Sequence, residues 1–324
     1  MNSISKYKEI TSKYISSLKI EKTPNELYDP IKYILSLGGK QLRPVLTLFT
    51  AEIFGTEYQK ALYAATAIEL FHNFSLIHDD IMDDAPLRRG HKTVHEKWNI
   101  NTGILSGDAM LILAYQYFEN YEPTIFKELA QLFSKTALEV CEGQQMDINF
   151  ETRTDVSVSE YIKMIEFKTA VLVGAALQMG AIVAETSDVN KKAIYDFGLN
   201  LGIAFQLQDD YLDAFGDIAT FGKQIGGDIL ENKKTYLYLL ALQNANTNER
   251  ISLEDWFSST ENNSQNKIDE VKSIFEKTNA TLATQKQIED YTNKALAILE
   301  NLEISAEHKN ELRIFALDLM NRSV

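Results

Sequence analysis

The sequence predicts an all-α protein, on three observations. Four long stretches, Thr66–Ile81, Gly103–Phe118, Tyr161–Ala184 and Ala193–Phe215, are largely apolar with polar residues returning at helical-turn spacing. Only 5 Pro and 15 Gly occur in 324 residues, which favours long regular elements over turn-rich β architecture. No run alternates apolar and polar residues as a half-buried strand does, and no short-period repeat is present. These features point to one large helical bundle with a buried centre. No linker demands a boundary, so residues 1–324 read as a single domain.

Taken in order, Gly38-Gly39 breaks the chain before a helix beginning near Gln41 or Leu42, and Pro44 suits its first turn. The stretch Thr66–Ile81 runs into an acidic cluster, Asp79-Asp80-Ile81-Met82-Asp83, and a basic loop over Ala85–Thr93 follows. Ala193–Phe215 carries a second such cluster, Asp209-Asp210-Tyr211-Leu212-Asp213, before a Gly- and Lys-containing loop over Gly216–Lys234. Asn244–Gln265 is rich in Asn, Ser, Thr and Glu and reads as a solvated insertion, after which helical pattern resumes to the end.

The formal net charge of −14 argues against nucleic acid or an anionic membrane as a partner, because the long-range field repels phosphate polymers. A small anionic substrate remains compatible where metal ions and local cations reverse the sign. The single cysteine, Cys141, has no intrachain disulfide partner and reads as a small core residue. The N-terminal MNSISKYKEI lacks the basic-then-apolar pattern of a secretory signal. Val171–Ala184, the most apolar stretch, is interrupted by Gln178 and is short for a bilayer span. The expectation is a soluble, cytoplasmic protein without stable membrane insertion.

The two acidic clusters share one geometry. Asp79 and Asp83 are four residues apart and face the same side of a helix, with His72 on that stripe. Gln206, Asp209 and Asp213 repeat the pattern. Carboxylates so placed repel each other, and apolar surroundings raise the cost unless cations neutralise them. Magnesium prefers one or two carboxylates, with water and phosphate completing its shell. Two such clusters suit a diphosphate held through bridging ions.

In an acidic chain the cations are informative. Arg88 and Arg89 follow the first cluster closely, and arginine's planar fork matches phosphate oxygens. Lys40 and Arg43 lie at a helix start, where free N–H groups favour an anion. Lys223 and Lys233 lie in the loop after the second cluster, whereas Lys234 reads as a solvating surface residue. Lys168 sits among apolar neighbours and calls for an anionic partner.

At this point the chain resembles the trans-prenyl diphosphate synthases, or polyprenyl synthetases, from about Gly38 to Thr235. The matching stretches are GGKQLRP at Gly38–Pro44, ELFHNFSLIHDDIMDDAPLRRG at Glu69–Gly90, EGQQMD at Glu142–Asp147, KTA at Lys168–Ala170, FQLQDDYLD at Phe205–Asp213 and GKQIGGDILENKKT at Gly222–Thr235. The resemblance implies an isoprenoid-synthase bundle with a central active-site cavity. It implies a magnesium-dependent transferase that condenses isopentenyl diphosphate head to tail with an allylic diphosphate, through an allylic carbocation, using three magnesium ions. Carried onto this chain, Asp79, Asp83 and Asp209 are the principal metal ligands, with Asp80 and Asp213 in support. Arg88, Lys168, Lys223 and Lys233 grip the allylic diphosphate. Thr169 and Gln206 shape its pocket and stabilise developing positive charge. Lys40, Arg43, His72 and Arg89 bind isopentenyl diphosphate. Gln144 and Asp147 stand behind them. The resemblance further implies a homodimer.

In such enzymes the residues before the first cluster set product length. Here the fifth residue before Asp79 is Phe74 and the fourth is Ser75. That pattern resembles enzymes making a twenty-carbon product, with fifteen carbons as the alternative. Phe74 lies roughly 140° round the helix from Asp79, so Phe74, Phe71 and Ala67 could form one wall of a tunnel offset from the metal face. Periodicity alone serves equally well for plain core at Phe71 and Phe74. The rival readings are a terpene cyclase of the same fold and a regulatory subunit of a heteromeric synthase. A cyclase would lack the Lys40–Arg43 anion site and usually the second Asp-rich cluster; a regulatory subunit usually loses one cluster.

Overall fold

The computed structural model describes residues 3–20, 22–217, 225–258 and 265–320. The helices are α1 (Ser3–Ser16), α2 (Asn25–Ser36), α3 (Leu42–Ile53), α4 (Leu62–Met82), α5 (Val94–Lys97), α6 (Ile100–Phe118), α7 (Pro123–Thr152), α8 (Val158–Ile165), α9 (Val171–Val183), α10 (Asp188–Phe215), α11 (Gly227–Leu230), α12 (Tyr236–Asn244), α13 (Thr247–Ser258), α14 (Gln265–Lys277), α15 (Ala280–Glu300) and α16 (Ala306–Met320). A π-helical turn, Glu166–Ala170, joins α8 to α9. Among the described residues the only sheet is the hairpin of β1 (Leu87–Arg88) and β2 (His91–Lys92).

The chain forms two compact units, Met1–Ser134 with Ala175–Lys192, and Lys135–Gly174 with Ala193–Val324. In the first, α4 is buried almost all round, with Ala64, Ala65, Ala67, Ile68, Leu70 and Phe71 each at most 2% exposed. Its amphipathic signal is therefore weak, as expected of a central helix. Aromatic rings fill the space beside it. Phe71 lies 5.2 Å from Phe133 and 5.5 Å from Phe74, and Phe133 lies 5.2 Å from Phe118.

The core of the second unit gathers Tyr161, Ile165, Leu207, Tyr211, Leu237, Leu253, Val271 and Phe275. Lys234 fastens the end of α7 in this unit. Its ammonium donates to the carbonyl oxygens of Phe150 (2.7 Å), Glu151 (3.0 Å) and Arg153. These are carbonyls a helix end leaves without intrahelical donors. The residue read as surface solvation is thus a helix cap.

Other expectations are corrected as well. The basic loop over Ala85–Thr93 contains a tight hairpin, registered Leu87↔Lys92 and Arg88↔His91. The span 244–265 is largely helical: α13 occupies Thr247–Ser258 and seats Leu253 at 0% exposure, with 259–264 outside the described residues. Asn and Ser at its flanks disguised it as a loop. Cys141 is exposed, since it shares the outward side of α7 with Leu138, three residues earlier. The apolar stretch before Ala184 belongs to an unbroken helical run, Val158–Val183, whose length and composition suffice for a span. Burial of 72% of its most apolar window within the protein, rather than shortness, argues for a core helix.

Candidate active site

In the first unit α4 delivers Asp79 and Asp83 to its C-terminal end. Asp83 is the C-cap residue, and its amide donates to the Asp79 carbonyl at 2.9 Å, so the two stay in helical phase. Asp79 is half-buried and Asp83 exposed, whereas Asp80 turns inward at 1% exposure. Arg88 meets Asp80 there: its Nε lies 2.8 and 2.9 Å from the two carboxylate oxygens, and its Nη2 is 2.6 Å from Oδ1. Nη2 is also 3.8 Å from Asp79 Oδ2. Burial nonetheless raises the Asp80 pKa, against the opposing effect of Arg88.

The hairpin turn explains the Arg-Arg-Gly order. Arg89 (φ 55°) and Gly90 (φ 77°) occupy the two central positions, both left-handed, as a type I′ turn requires. Arg88 is consequently on the strand facing Asp80, while Arg89 projects from the turn toward the loop before α3. There Gly39, at φ 138°, leaves room for the guanidinium: a Cβ on Gly39 would lie 2.8 Å from Arg89 Cζ. Lys40, exposed, is the next residue.

At the second residue of α3, Arg43 Nη1 lies 3.1 Å from His72 Nε2. Burial lowers the Arg43 pKa to about 10, with Glu69 opposing the shift. Burial, reinforced by Arg43, Arg89 and Arg88, holds His72 well below its ordinary value, so the imidazole is neutral near pH 7. Three of the four predicted anion-binding residues, Arg43, His72 and Arg89, therefore interact, while Lys40 is placed only by its position after Gly39. Arg43 and His72 touch, and Arg89 acts on His72 electrostatically. Of the predicted length-setting residues, Phe74 is 9% and Phe71 1% exposed. Ser75 ties its hydroxyl to the His72 carbonyl at 2.8 Å.

In the second unit the π-helical turn carries Lys168 and Thr169. Gly143 permits it: a Cβ there would lie 2.2 Å from the Lys168 backbone nitrogen. Such π-bulges are frequent at functional sites. The ammonium of Lys168 pairs with the Asp147 carboxylate, and its side chain is 29% exposed. The anionic partner expected for Lys168 is thus supplied, in this structure, from within the protein. Thr169 Oγ1 donates to Gln206 Oε1 at 3.1 Å, and Gln206 Nε2 donates to Asp210 Oδ1 at 3.0 Å. Tyr161 donates its hydroxyl to Asp210 Oδ2. Gln144 is half-buried.

Asp210 is the buried member of its cluster, at 5% exposure, as Asp80 is of the first. Burial and the nearby charge of Asp228 push its pKa up to about 8, against the bonds from Tyr161 and Gln206. Asp209 and Asp213 are half-buried. Asp213 braces the following loop: Oδ2 accepts from the Asp228 amide at 2.9 Å, and its carbonyl from the Gly226 amide at 2.6 Å. Lys233 lies 2.8 Å from Glu231 and 3.6 Å from Asp228. Lys223 falls outside the described residues.

Sequence reasoning missed Asp210, Tyr161, Asp228, Glu69 and Asn73. In both clusters the signal passed over is the direction of the second aspartate: Asp80, expected as a supporting metal ligand, and Asp210 both turn inward. Each lies one residue, about 100°, from the first aspartate of its cluster and must face a different environment.

The donor set suits a divalent cation. Both α4 and α10 end in aspartates with no basic residue in the last turn, where the helix dipole already places partial negative charge. That arrangement is unfavourable until cations offset it. Among the described residues no three His, Cys, Asp or Glu side chains gather into a ready-made cage.

The sequence matches the family model described as Polyprenyl synthetase over residues 24–277. It is 37% identical over 306 residues to a short chain isoprenyl diphosphate synthase of Methanothermobacter thermautotrophicus, covering 94% of this chain and 93% of that protein. A crystal structure of a geranylgeranyl pyrophosphate synthase superposes with a TM-score of 0.93 at 54% identity, covering 100% of both chains. A geranylgeranyl pyrophosphate synthase of Corynebacterium glutamicum, solved with isoprenyl diphosphate and magnesium, gives a TM-score of 0.87 at 26% identity over 99% of each chain. The all-α fold expected from the periodicity is the fold of these enzymes.

Proposed function

The chain belongs to the polyprenyl synthetase family, and on that premise we propose that it is a chain-elongating prenyltransferase. It joins isopentenyl diphosphate head to tail to an allylic diphosphate, and its main product has twenty carbons. Divalent metal dependence goes with the family and with the magnesium-bound relative; the finer reading is three magnesium ions. When bound, magnesium supplies Lewis-acid charge that lets the allylic diphosphate depart.

Asp79, Asp83 and Asp209 hold those ions in this reading. Asp80 acts one step back, orienting Arg88 toward the allylic diphosphate, and Asp213 combines support of the ions with its hold on the 226–228 backbone. Lys168, Lys223 and Lys233 serve as diphosphate-binding cations, with Lys168 exchanging Asp147 for the anion. Thr169 Oγ1 and Gln206 Oε1 present oxygen lone pairs that stabilise the allylic cation as the C–O bond breaks. The alkene of isopentenyl diphosphate attacks that cation, and the departing diphosphate takes the proton released. Lys40, Arg43, His72 and Arg89 hold isopentenyl diphosphate without a metal ion. Neutral His72 serves this role, because Arg43 Nη1 can donate to it while remaining fully charged.

The observation that carries the reading is the Arg43–His72 contact at 3.1 Å beside Arg89. It gathers cations beside α4, backed by the Glu69 carboxyl, and so supports a site for a second diphosphate. Both units belong to one catalytic domain, cytoplasmic in location. The stripe of exposed Ile100, Ile104, Leu105 and Ile112 on α6, each at least 40% exposed, supports a homodimer.

The test is incubation with isopentenyl diphosphate, magnesium and five-, ten- or fifteen-carbon allylic diphosphates, with products separated by chain length. Accumulation at twenty carbons is expected. Absence of elongation with every allylic partner would sink the reading, and a longer or shorter end point would correct its product length.

A further inference from the structure

Behind Arg43 and Arg89 lies a carboxyl group that the reaction above leaves without a role. Glu69, on α4, is 3% exposed. Asn73, one turn on and 1% exposed, donates its amide to Glu69 Oε1 at 3.2 Å and to the Glu69 carbonyl at 2.8 Å. Glu69 Oε2, Asn73 Oδ1 and Arg43 Nε are all buried without a hydrogen-bond partner. The charged groups acting on Glu69 are Arg43, from α3, and Arg89, from the hairpin turn, while its own helix contributes Asn73. Neutral His72 adds no charge to this set.

We propose that Glu69, braced by Asn73, positions Arg43 and Arg89 for isopentenyl diphosphate and takes up a proton from solvent when that diphosphate binds. The inference rests on assigning those two arginines to isopentenyl diphosphate.

In the open site an ionised Glu69 balances part of the charge of two partly desolvated guanidiniums, which keeps them close together. An arriving diphosphate takes over that balancing task with far more charge. The buried carboxylate then faces an anion across a low-dielectric gap, which favours its neutral form. Glu69 is poised for the change: burial pushes its pKa up to about 7, against Arg43, Asn73 and Arg89. A protonated Glu69 can also donate a hydrogen bond, which its ionised form cannot. The sign follows from linkage. Below about pH 7 the carboxyl is already neutral and adds no pH dependence to binding. Above it, each binding event must capture a proton, so affinity falls toward a limit of about tenfold per pH unit.

Two measurements test this. Calorimetric titration of isopentenyl diphosphate alone into wild type near pH 8, in two buffers of different ionisation enthalpy, counts protons directly. Uptake approaching one proton per site is expected, and Glu69→Gln should lose it, leaving only what the diphosphate's own titration contributes. In steady state with saturating allylic diphosphate and magnesium, the wild-type KM for isopentenyl diphosphate should climb between about pH 7 and 9. The KM of Glu69→Gln should stay near the low-pH wild-type value, with the allylic KM following the wild-type profile. Equal proton uptake in both proteins, or a variant that raises both KM values alike at every pH, overturns the proposal. If Glu69→Gln does not fold, the wild-type calorimetry still decides, since no uptake beyond the ligand's own is fatal. If wild type neither binds isopentenyl diphosphate nor elongates, the assigned reaction fails instead.

Discussion

Arg88 closes on Asp80 with its Nε 2.8 and 2.9 Å from the two carboxylate oxygens, although Asp80 is 1% exposed and sits beside the half-buried Asp79. A buried carboxylate with one dedicated guanidinium depends on that partner. Arg88→Met should therefore cost about 3 kcal/mol in urea unfolding, because it strands the charge of Asp80 rather than merely losing one contact. Arg88→Lys should recover part of the stability but not the planar fork, so its KM for the allylic diphosphate should stay about tenfold high. A lysine variant indistinguishable from wild type in KM would show that the fork has no bearing on substrate.

The second cluster has the same layout with different partners, and it yields a pH prediction. Asp210 is held by Tyr161 and Gln206, neither of which carries a positive charge, and burial with Asp228 pushes its pKa up to about 8. The folded state therefore binds more protons than the unfolded chain between the unfolded pKa, about 4, and about 8. Stability should fall as pH rises through that window, by at most about 1.4 kcal/mol per pH unit, and level off above it. Metal-free Asp210→Asn should lose less melting temperature than wild type between about pH 6 and 8.5. Parallel declines in the two proteins would place the titrating group elsewhere.

These two relationships show where the sequence was legible. The four long apolar stretches fall on α4, α6, α8–α9 and α10, because burial at helical period is a property of the sequence itself. The pairing of Arg43 with His72 was also accessible, since both residues belonged to one expected anion site. The inward turn of Asp80 and Asp210 was not, because a stripe argument favours residues four apart and passes over their neighbours. The π-helical turn at Glu166–Ala170 was hidden for a different reason. It depends on Gly143, more than twenty residues earlier, letting the Lys168 backbone approach, and no local pattern records that. The cap made by Lys234 is likewise a long-range contact, with carbonyls more than eighty residues away.

That cap carries its own prediction. Lys234 donates to three carbonyls at the end of α7, and burial lowers its pKa, so its charge is partly desolvated. Lys234→Met keeps the aliphatic stem and removes the donors. It should destabilise the protein by about 2 kcal/mol, measured by thermal or urea unfolding. Since Lys234 touches helix carbonyls rather than an assigned substrate group, KM for both diphosphates should change less than about threefold. A large KM effect with unchanged stability would move Lys234 into the binding site.

The metal assignment is tested by Asp79→Ala and Asp209→Ala. Each removes a carboxylate from a helix end that has no basic residue in its last turn. Losing it relieves repulsion in the metal-free protein, so stability without magnesium should hold or rise by a few tenths of a kcal/mol. Turnover should fall by about three orders of magnitude, with unaltered helical circular dichroism. The opposed signs matter, since a merely structural aspartate would lose stability and activity together.

The last prediction concerns Phe74, where two physical roles give different products. Phe74 is 9% exposed, with ring centroids 5.5 Å from Phe71 and 4.7 Å from His78, the residue next to Asp79. As plain core, Phe74→Ala would leave a cavity and cost about 3–5 kcal/mol while the product stayed the same. As one wall of the space that receives the growing chain, the same substitution gives the product room. One helical turn rises about 5.4 Å, close to the length of one isoprene unit. Phe71, three residues earlier, would then form the next obstacle along the helix. We expect Phe74→Ala to extend the product by at least one five-carbon unit, and Phe74→Ala with Phe71→Ala to extend it further. The readout is chain length by chromatography, taken well below each variant's melting temperature so that lost stability does not masquerade as lost specificity. An unchanged product from a folded, active Phe74→Ala enzyme would assign Phe74 to the core and place the floor of the chain-binding space elsewhere.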